Sequence, residues 1–164
     1  MPQKTLLRIS FSRGPNIGVH FIPEAKGFRV SLVEGSEFYA AFFTEVDKDL
    51  QDKLLTWLEE YGRGTHPDVD FLPRQKTPSF TNRVLEALRS IPFGKVVSYS
   101  ELALLANSER AVRAVGTICR LNQYPLFLPC HRVVRKGGSL GGFAFGSSLK
   151  TTLLEFEDKE KSTL

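Results

Sequence analysis

The sequence predicts an α+β fold: a small N-terminal antiparallel sheet with one helix, then a mainly helical part that carries a helix-turn-helix. Three observations carry that prediction. Four short β-prone runs crowd into residues 5–43, helical spacing takes over from Asp47, and a stretch rich in Gly, Pro and polar residues, 62–78, divides the chain. With 164 residues the chain is long enough for one domain or two small ones. The expected division is residues 1–75, sheet, helix and linker, and residues 76–164.

The elements follow in order. "TLLRIS", "IGVHFI", "FRVSLV" and "FYAAFF" are the expected strands, separated by turn signals at Arg13-Gly14-Pro15-Asn16, Pro23 to Gly27 and Glu34-Gly35-Ser36. From Asp47, Leu50, Leu54, Trp57, Leu58 and Tyr61 recur at helical spacing, with acids near the start and Gly62 just past the end. One face of that helix should cover the sheet. Beyond the linker, Thr77 is a candidate cap and Pro78 a candidate first residue for a helix whose Phe80, Val84, Leu85, Leu88 and Ile91 form an apolar stripe. Ser98 and Glu101 have capping-box spacing, and Asn107-Ser108 interrupts the chain before "ERAVRAVGTICRLN". These two short helices make the helix-turn-helix pattern, although most short helix pairs touch no DNA.

The side chains of the second helix sharpen that pattern. Arg110, Arg113, Thr117 and Arg120 fall on one face, and Val112, Val115 and Cys119 on another. Ala111, Ala114 and Gly116 keep the helix slim enough to approach a groove wall. Charge is distributed unevenly. Residues 1–75 hold 9 Lys/Arg against 11 Asp/Glu, whereas residues 76–164 hold 13 against 7, so contact with a polyanion is expected of the second half. No apolar stretch approaches the roughly 20 residues that span a bilayer, and the opening residues lack a signal-peptide core. Two cysteines are too few for a secreted disulfide framework. An intracellular protein without membrane contact is expected.

Cys130 stands in "FLPCHRVV" beside His131 and Arg132. A lone cysteine after Leu126, Phe127 and Leu128 is commonly inert core, and burial keeps it a thiol. Against that, His131 can take a thiol proton and Arg132 can favour negative charge nearby. On these residues alone both readings stand. A metal site is the poorer reading, because Cys119, Cys130 and His131 lack paired C-x-x-C spacing and His20 and His66 lie in the other half. The glycines of "RKGGSLGGFAFG" are not followed by the Lys-Ser/Thr of a P-loop. They suit backbone approach to a flat ligand beside Phe143 and Phe145.

Together "PFGKVVSYSELA", "RAVG" at 113–116, Asn122, "PCHRVV" at 129–134 and "GGFAFG" resemble the O6-alkylguanine-DNA alkyltransferases over residues 70–157. That resemblance implies DNA repair by irreversible, single-turnover transfer of an alkyl group, mainly methyl, from the O6 atom of guanine to Cys130. O4-alkylthymine is a further candidate substrate. By position, it makes His131 the base acting through water, Glu157 the acid that orients His131, Asn122 an active-site organiser and Tyr99 the hydrogen-bond partner of the departing guanine. Backbone at Val133 and Ala144 should read the base edge, with Phe143 and Phe145 in the pocket wall. Arg113 matches the residue that fills the stack when the base is flipped out, on a helix in the minor groove, with Arg110, Ala114, Thr117 and Arg120 beside it.

The same resemblance implies an RNase H-like first domain and a winged-helix-like second one. It also implies a monomer acting on double-stranded DNA containing O6-alkylguanine, without a cofactor, in the cytoplasm at the nucleoid, or in the nucleus of a eukaryote. The sequence departs from the family pattern in three places. The first half has no cysteine, so no structural zinc is expected; Phe143 stands where Tyr is common, and Phe145 where members carry Gly or Trp. Two other classes share parts of the pattern. A non-catalytic alkylated-base binder would lack the acceptor cysteine, and a cysteine hydrolase would need an oxyanion hole and no duplex-binding helix.

Overall fold

The computed structural model describes residues 3–162. Strands β1 (Leu7–Ser10), β2 (Ile17–Glu24), β3 (Gly27–Glu34) and β4 (Tyr39–Phe42) form one sheet in the order β1-β4-β2-β3. β1 with β4 and β2 with β3 are antiparallel, but β2 and β4 run parallel, from Gly18 opposite Tyr39 to Phe21 opposite Phe42. The sheet is therefore mixed, not antiparallel as expected. The reason is topological: β4 inserts between β1 and β2 instead of extending the β2–β3 hairpin, a choice that no local turn signal encodes. Pro23 falls inside β2, beyond Phe21, the last residue paired with β4. Past the end of a neighbour, a missing N–H is tolerated.

Alternation buries one sheet face. Ile17, Val19, Phe21, Phe28, Val30, Leu32, Ala40 and Phe42 are buried, covered by Leu54, Trp57, Leu58 and Tyr61 of α1 (Lys48–Gly62). Asp47 caps α1, its carboxylate accepting from the N–H groups of Asp49 and Leu50 at 3.1 and 3.2 Å. The cluster does not stop at the first half of the chain. Tyr124, Leu126, Phe127 and Leu128 join it, with Leu149 and Leu153 of the C-terminal helix. Phe127 lies 4.4 Å from the ring of Trp57 and 6.2 Å from that of Phe21. The greasy run before Cys130 is thus an anchor in the N-terminal core.

Gly62 is the last residue of α1, and residues 63–78 form no regular element, yet Val69 and Leu72 are buried and the Trp57 indole donates to the carbonyl of Pro67 at 3.0 Å. The stretch is packed along its path. α2 (Ser79–Arg89) begins after Pro78, which takes the cap position; Thr77 does not cap it, its hydroxyl being bonded to the Asn82 side chain. α3 (Tyr99–Leu105) has the expected capping box, Ser98 with Glu101. α4 (Val112–Arg120) starts three residues later than expected, so Arg110 precedes the helix. Val84, Leu88, Ile91, Leu102, Ala103, Val115 and Cys119 close a second cluster that also holds Cys130 and Val133. A two-stranded parallel pair, β5 (Val97–Ser98) with β6 (Val133–Val134), and α5 (Ser147–Lys161) complete the fold.

Candidate active site and nucleic-acid interface

Cys130 opens a single 3-10 turn, Cys130–Arg132, that leads directly into β6. Three hydrogen bonds shape its approach. The Asn122 amide donates to the Leu128 carbonyl at 2.7 Å, its oxygen accepts from the Tyr124 N–H at 3.0 Å, and the Cys130 N–H reaches the Leu128 carbonyl at 2.7 Å. Cys130 is 6% exposed. Burial pushes its thiol up, while hydrogen bonding to Asn122, the Lys150 charge and the N–H groups of Cys130 and His131 pull it down. The balance leaves a resting thiol, protected from stray electrophiles until a base acts. Cys119, behind it on α4, is pushed up to about 12 by burial and the neighbouring Cys130.

His131 and Glu157 are both buried, and the imidazole Nε2–H donates to Glu157 Oε2 at 2.5 Å. That bond selects the tautomer with a free lone pair on Nδ1. Nδ1 is buried and has no hydrogen-bond partner among the described residues. Burial holds the His131 pKa below its usual value against the pull of Glu157, so the ring is neutral and able to accept a proton. Glu157 carries further partners: Arg132 Nε at 2.7 Å on Oε1, the Tyr61 hydroxyl at 2.7 Å on Oε2 and the Gly94 N–H at 3.2 Å on Oε1. Burial alone raises this carboxyl; His131 and the Arg132 charge outweigh it and keep Glu157 ionised. Arg132 therefore serves the carboxylate, where the sequence suggested that it acts on the cysteine. Its remaining donors reach the Ile91 carbonyl at 2.8 Å and His66 Nδ1 at 2.9 Å.

The cation beside Cys130 is Lys150. It is fully buried, and its ammonium donates to the carbonyls of Val133 at 2.6 Å, Leu140 at 2.6 Å and Gly142 at 3.3 Å. Those bonds tie the glycine-rich loop to β6. The Val133 carbonyl is thus engaged within the protein, and Ala144, shortly before α5, is exposed. Tyr99 sits at the start of α3 with its hydroxyl 3.4 Å from the Gly142 carbonyl. Gly141 allows the loop to pass: it has φ of +72°, and a Cβ there would stand 3.2 Å from the Tyr99 ring. Phe143 and Phe145 meet edge to face at 5.5 Å, both partly buried against the core.

Sequence reasoning missed Lys150 and the partners Tyr61 and His66. One signal was available for the first. In α5 the buried positions are Leu149, Lys150, Leu153 and Glu157, so a cation and an acid share the apolar stripe seven residues apart. Nothing local marks Tyr61 or His66.

On α4, Arg113, Ala114, Thr117 and Arg120 are exposed, as is Arg110 ahead of it, while Val115 and Cys119 are buried. Arg120 donates to the Thr117 hydroxyl at 3.2 Å, and that hydroxyl donates to the Arg113 carbonyl at 3.2 Å. Among the described residues the arginines in ion pairs are Arg8, Arg13, Arg29, Arg63, Arg89 and Arg132, none of them on this face. The face keeps its full positive charge. A cavity of about 670 Å³ lies elsewhere, between residues 69–78, α2 and the end of α4; it is lined by Asn122 and Leu128 but by neither Cys130 nor His131. Thiol chemistry, not cavity size, locates the candidate site. Among the described residues, no group of three or more His, Cys, Asp or Glu is placed to hold a metal ion, and no helix is long and apolar enough to cross a membrane.

Residues 79–159 match the family model described as "6-O-methylguanine DNA methyltransferase, DNA binding domain". The chain is similar to the constitutive methylated-DNA–protein-cysteine methyltransferase of Bacillus subtilis, 39% identical over 101 residues, covering 61% of each protein. It is 45% identical over 80 residues to the human methylated-DNA–protein-cysteine methyltransferase, covering 48% of this chain and 39% of the relative. It is 45% identical over 85 residues to the bifunctional transcriptional activator/DNA repair enzyme Ada of Escherichia coli, covering 51% and 24%. The chain thus spans between about a quarter and three fifths of the length of these relatives. In structure it resembles the Mycobacterium tuberculosis OGT solved in complex with DNA, with a TM-score of 0.63, 27% identity and coverage of 87% of this chain and 94% of that one.

Proposed function

The chain belongs to the O6-alkylguanine-DNA alkyltransferase family, and from that premise we propose that it repairs DNA by moving an alkyl group from guanine O6 to the sulfur of Cys130. The observation that carries the proposal is the buried Cys130, His131 and Glu157 set, with Glu157 fixing Nε2–H and His131 Nδ1 left as a base without a partner. His131 Nδ1 takes the thiol proton through a water. The thiolate attacks the alkyl carbon, an S–C bond forms, the C–O6 bond breaks, and the electron pair leaves on the guanine. The Tyr99 hydroxyl, held in its neutral form by burial, donates toward the charge that develops there, and the proton lost by the thiol finally neutralises the base. A thioether is not readily hydrolysed, so each molecule acts once.

O6 lies inside the duplex, and the base must leave the stack to reach a buried sulfur. Arg113 is exposed on the face of α4 that carries unpaired positive charge, which suits it to fill the vacated space from the minor groove. Arg110, Thr117 and Arg120 hold the backbone, and Ala114 lets the helix come close. Double-stranded DNA containing O6-alkylguanine is the proposed partner of a monomeric protein, with O4-alkylthymine as a secondary substrate. The DNA complex of the Mycobacterium tuberculosis relative supports DNA as the partner. We read residues 1–75 as an RNase H-like domain with its linker and residues 76–164 as a winged-helix-like domain, α3 and α4 being its helix-turn-helix. The cytoplasm, at the nucleoid or in a eukaryote the nucleus, is the compartment that such a substrate implies.

Intact mass before and after incubation with duplex DNA containing O6-methylguanine tests the reaction. One methyl group on Cys130, none on Cys119, and loss of transfer with retained DNA binding in Cys130→Ala are the expected results. Clearance of the lesion by Cys130→Ala would overturn the assignment.

A further inference from the structure

Glu157 accepts hydrogen bonds from four residues, and one of them, Tyr61, comes from α1 in the opposite half of the chain. We propose that Tyr61 is a positioning residue for alkyl transfer, setting through Glu157 the proton affinity of His131. The inference rests on the reading of Cys130 as alkyl acceptor, and it goes beyond that reading by giving the N-terminal half a part in the chemistry.

Geometry supplies the reason. The Tyr61 hydroxyl and His131 Nε2 bind the same atom, Glu157 Oε2, at 2.7 and 2.5 Å. A donor on that oxygen disperses its charge and weakens its pull on the imidazole. Arg132 acts in the same sense, through Nε on Oε1 and a second nitrogen 3.2 Å from Oε2. Both keep His131 a neutral base. The charged or titratable groups acting directly on His131 are Glu157 and Lys150 from α5, Arg132 from its own turn and His66 from the stretch after α1, with Cys130 adjacent in the chain; Tyr61 of α1 reaches it through Glu157.

Tyr61 is held in place for this task. It is 0% exposed, its ring stacked on Trp57 at 5.4 Å and 7° and flanked by Phe93 and Phe156 at 5.6 and 5.5 Å. Burial and the Glu157 charge push its hydroxyl well above the usual tyrosine range, so it is always the donor. A residue needed only to fill this aromatic cluster would serve equally well as phenylalanine. The hydroxyl is the distinguishing feature.

The test compares the unmodified protein, Tyr61→Phe and a protein carrying 3-fluorotyrosine at position 61, whose more acidic hydroxyl is a stronger donor. The imidazole of His131 is titrated by nitrogen-detected NMR, and single-turnover methyl transfer from O6-methylguanine duplex is followed against pH. Tyr61→Phe should move the His131 titration and the acid limb of the rate profile up by about one pH unit, the scale of a hydrogen bond to a charged group, making transfer about tenfold slower on that limb. The fluorinated protein should move both the other way, which keeps the test decisive if the phenylalanine variant folds poorly. Unmoved titrations in either folded variant would overturn the inference. Absence of methyl transfer in the unmodified protein would overturn the proposed function instead, and the NMR titration needs no DNA.

Discussion

His131 Nε2 donates to Glu157 Oε2 across 2.5 Å although 26 positions separate the two residues in the chain, and neither is exposed. The bond fixes which imidazole nitrogen is basic. Glu157→Gln keeps the shape but lets the side chain present either an oxygen or an amide to Nε2, so the productive tautomer is no longer enforced. Single-turnover methyl transfer should fall about a hundredfold, within the range for a general base. An unchanged rate in quenched-flow assays would remove Glu157 from the mechanism.

The role proposed for Arg113 is confined to the duplex step. Arg113→Ala should slow transfer from O6-methylguanine duplex far more than transfer from the free alkylated base, because only the duplex requires extrusion. Equal slowing with both substrates would contradict this assignment. Affinity for duplex should also fall as salt rises, through displacement of counterions by Arg110, Arg113 and Arg120, and a salt-independent affinity would argue against the basic face.

Lys150 joins stability to reactivity. Lys150→Met preserves much of the buried stem but leaves the carbonyls of Val133, Leu140 and Gly142 without their donor. Unfolding free energy should drop by about 2 kcal/mol or more, the scale of unsatisfied buried acceptors. The Cys130 thiol should rise further once the nearby charge is gone. Urea denaturation and the pH dependence of methyl transfer would measure the two effects separately.

Phe145 is expected to restrict the alkyl group. Its ring packs edge to face on Phe143 and against the core rather than turning into solvent. Methyl should transfer well and benzyl poorly, and Phe145→Gly should widen the range toward benzyl. Comparable benzyl transfer by the unmodified protein, or no gain in the glycine variant, would mean that this ring does not limit the pocket.

Acid should destabilise the protein in two stages. Burial, the Arg132 charge and His131 lower the His66 pKa from 6.5 to about 3, so the folded state takes up its proton later than the unfolded one. Its contribution is complete above about 6.5 and is lost as pH falls toward about 3, at a slope of about 1 kcal/mol per pH unit. Glu157, depressed in the fold, adds a second loss below the ordinary carboxylate range. His66→Gln should flatten the stability curve between pH 6.5 and about 5, as followed by thermal denaturation; an unaltered slope there would exclude His66 as its source.

What the sequence determined by itself was local. Alternation in "IGVHFI" and "FRVSLV", the 3.6-residue stripe from Leu50 to Tyr61 and the Ser98–Glu101 box each act within a few residues, and the corresponding strands, helix and cap are present. The adjacency of Cys130 and His131 needed no fold to be seen, and the family motifs around it were readable in order. Tertiary structure decided what depends on distant partners. It placed β4 parallel to β2, turned Arg132 toward Glu157, brought Tyr61 and His66 of one half onto the network of the other, and buried Lys150 under the glycine-rich loop. The physical reason is the range of the forces. Backbone sterics and capping hydrogen bonds read neighbours in sequence, whereas a buried charge takes the partners that close packing brings within about 3 Å, whatever their separation along the chain.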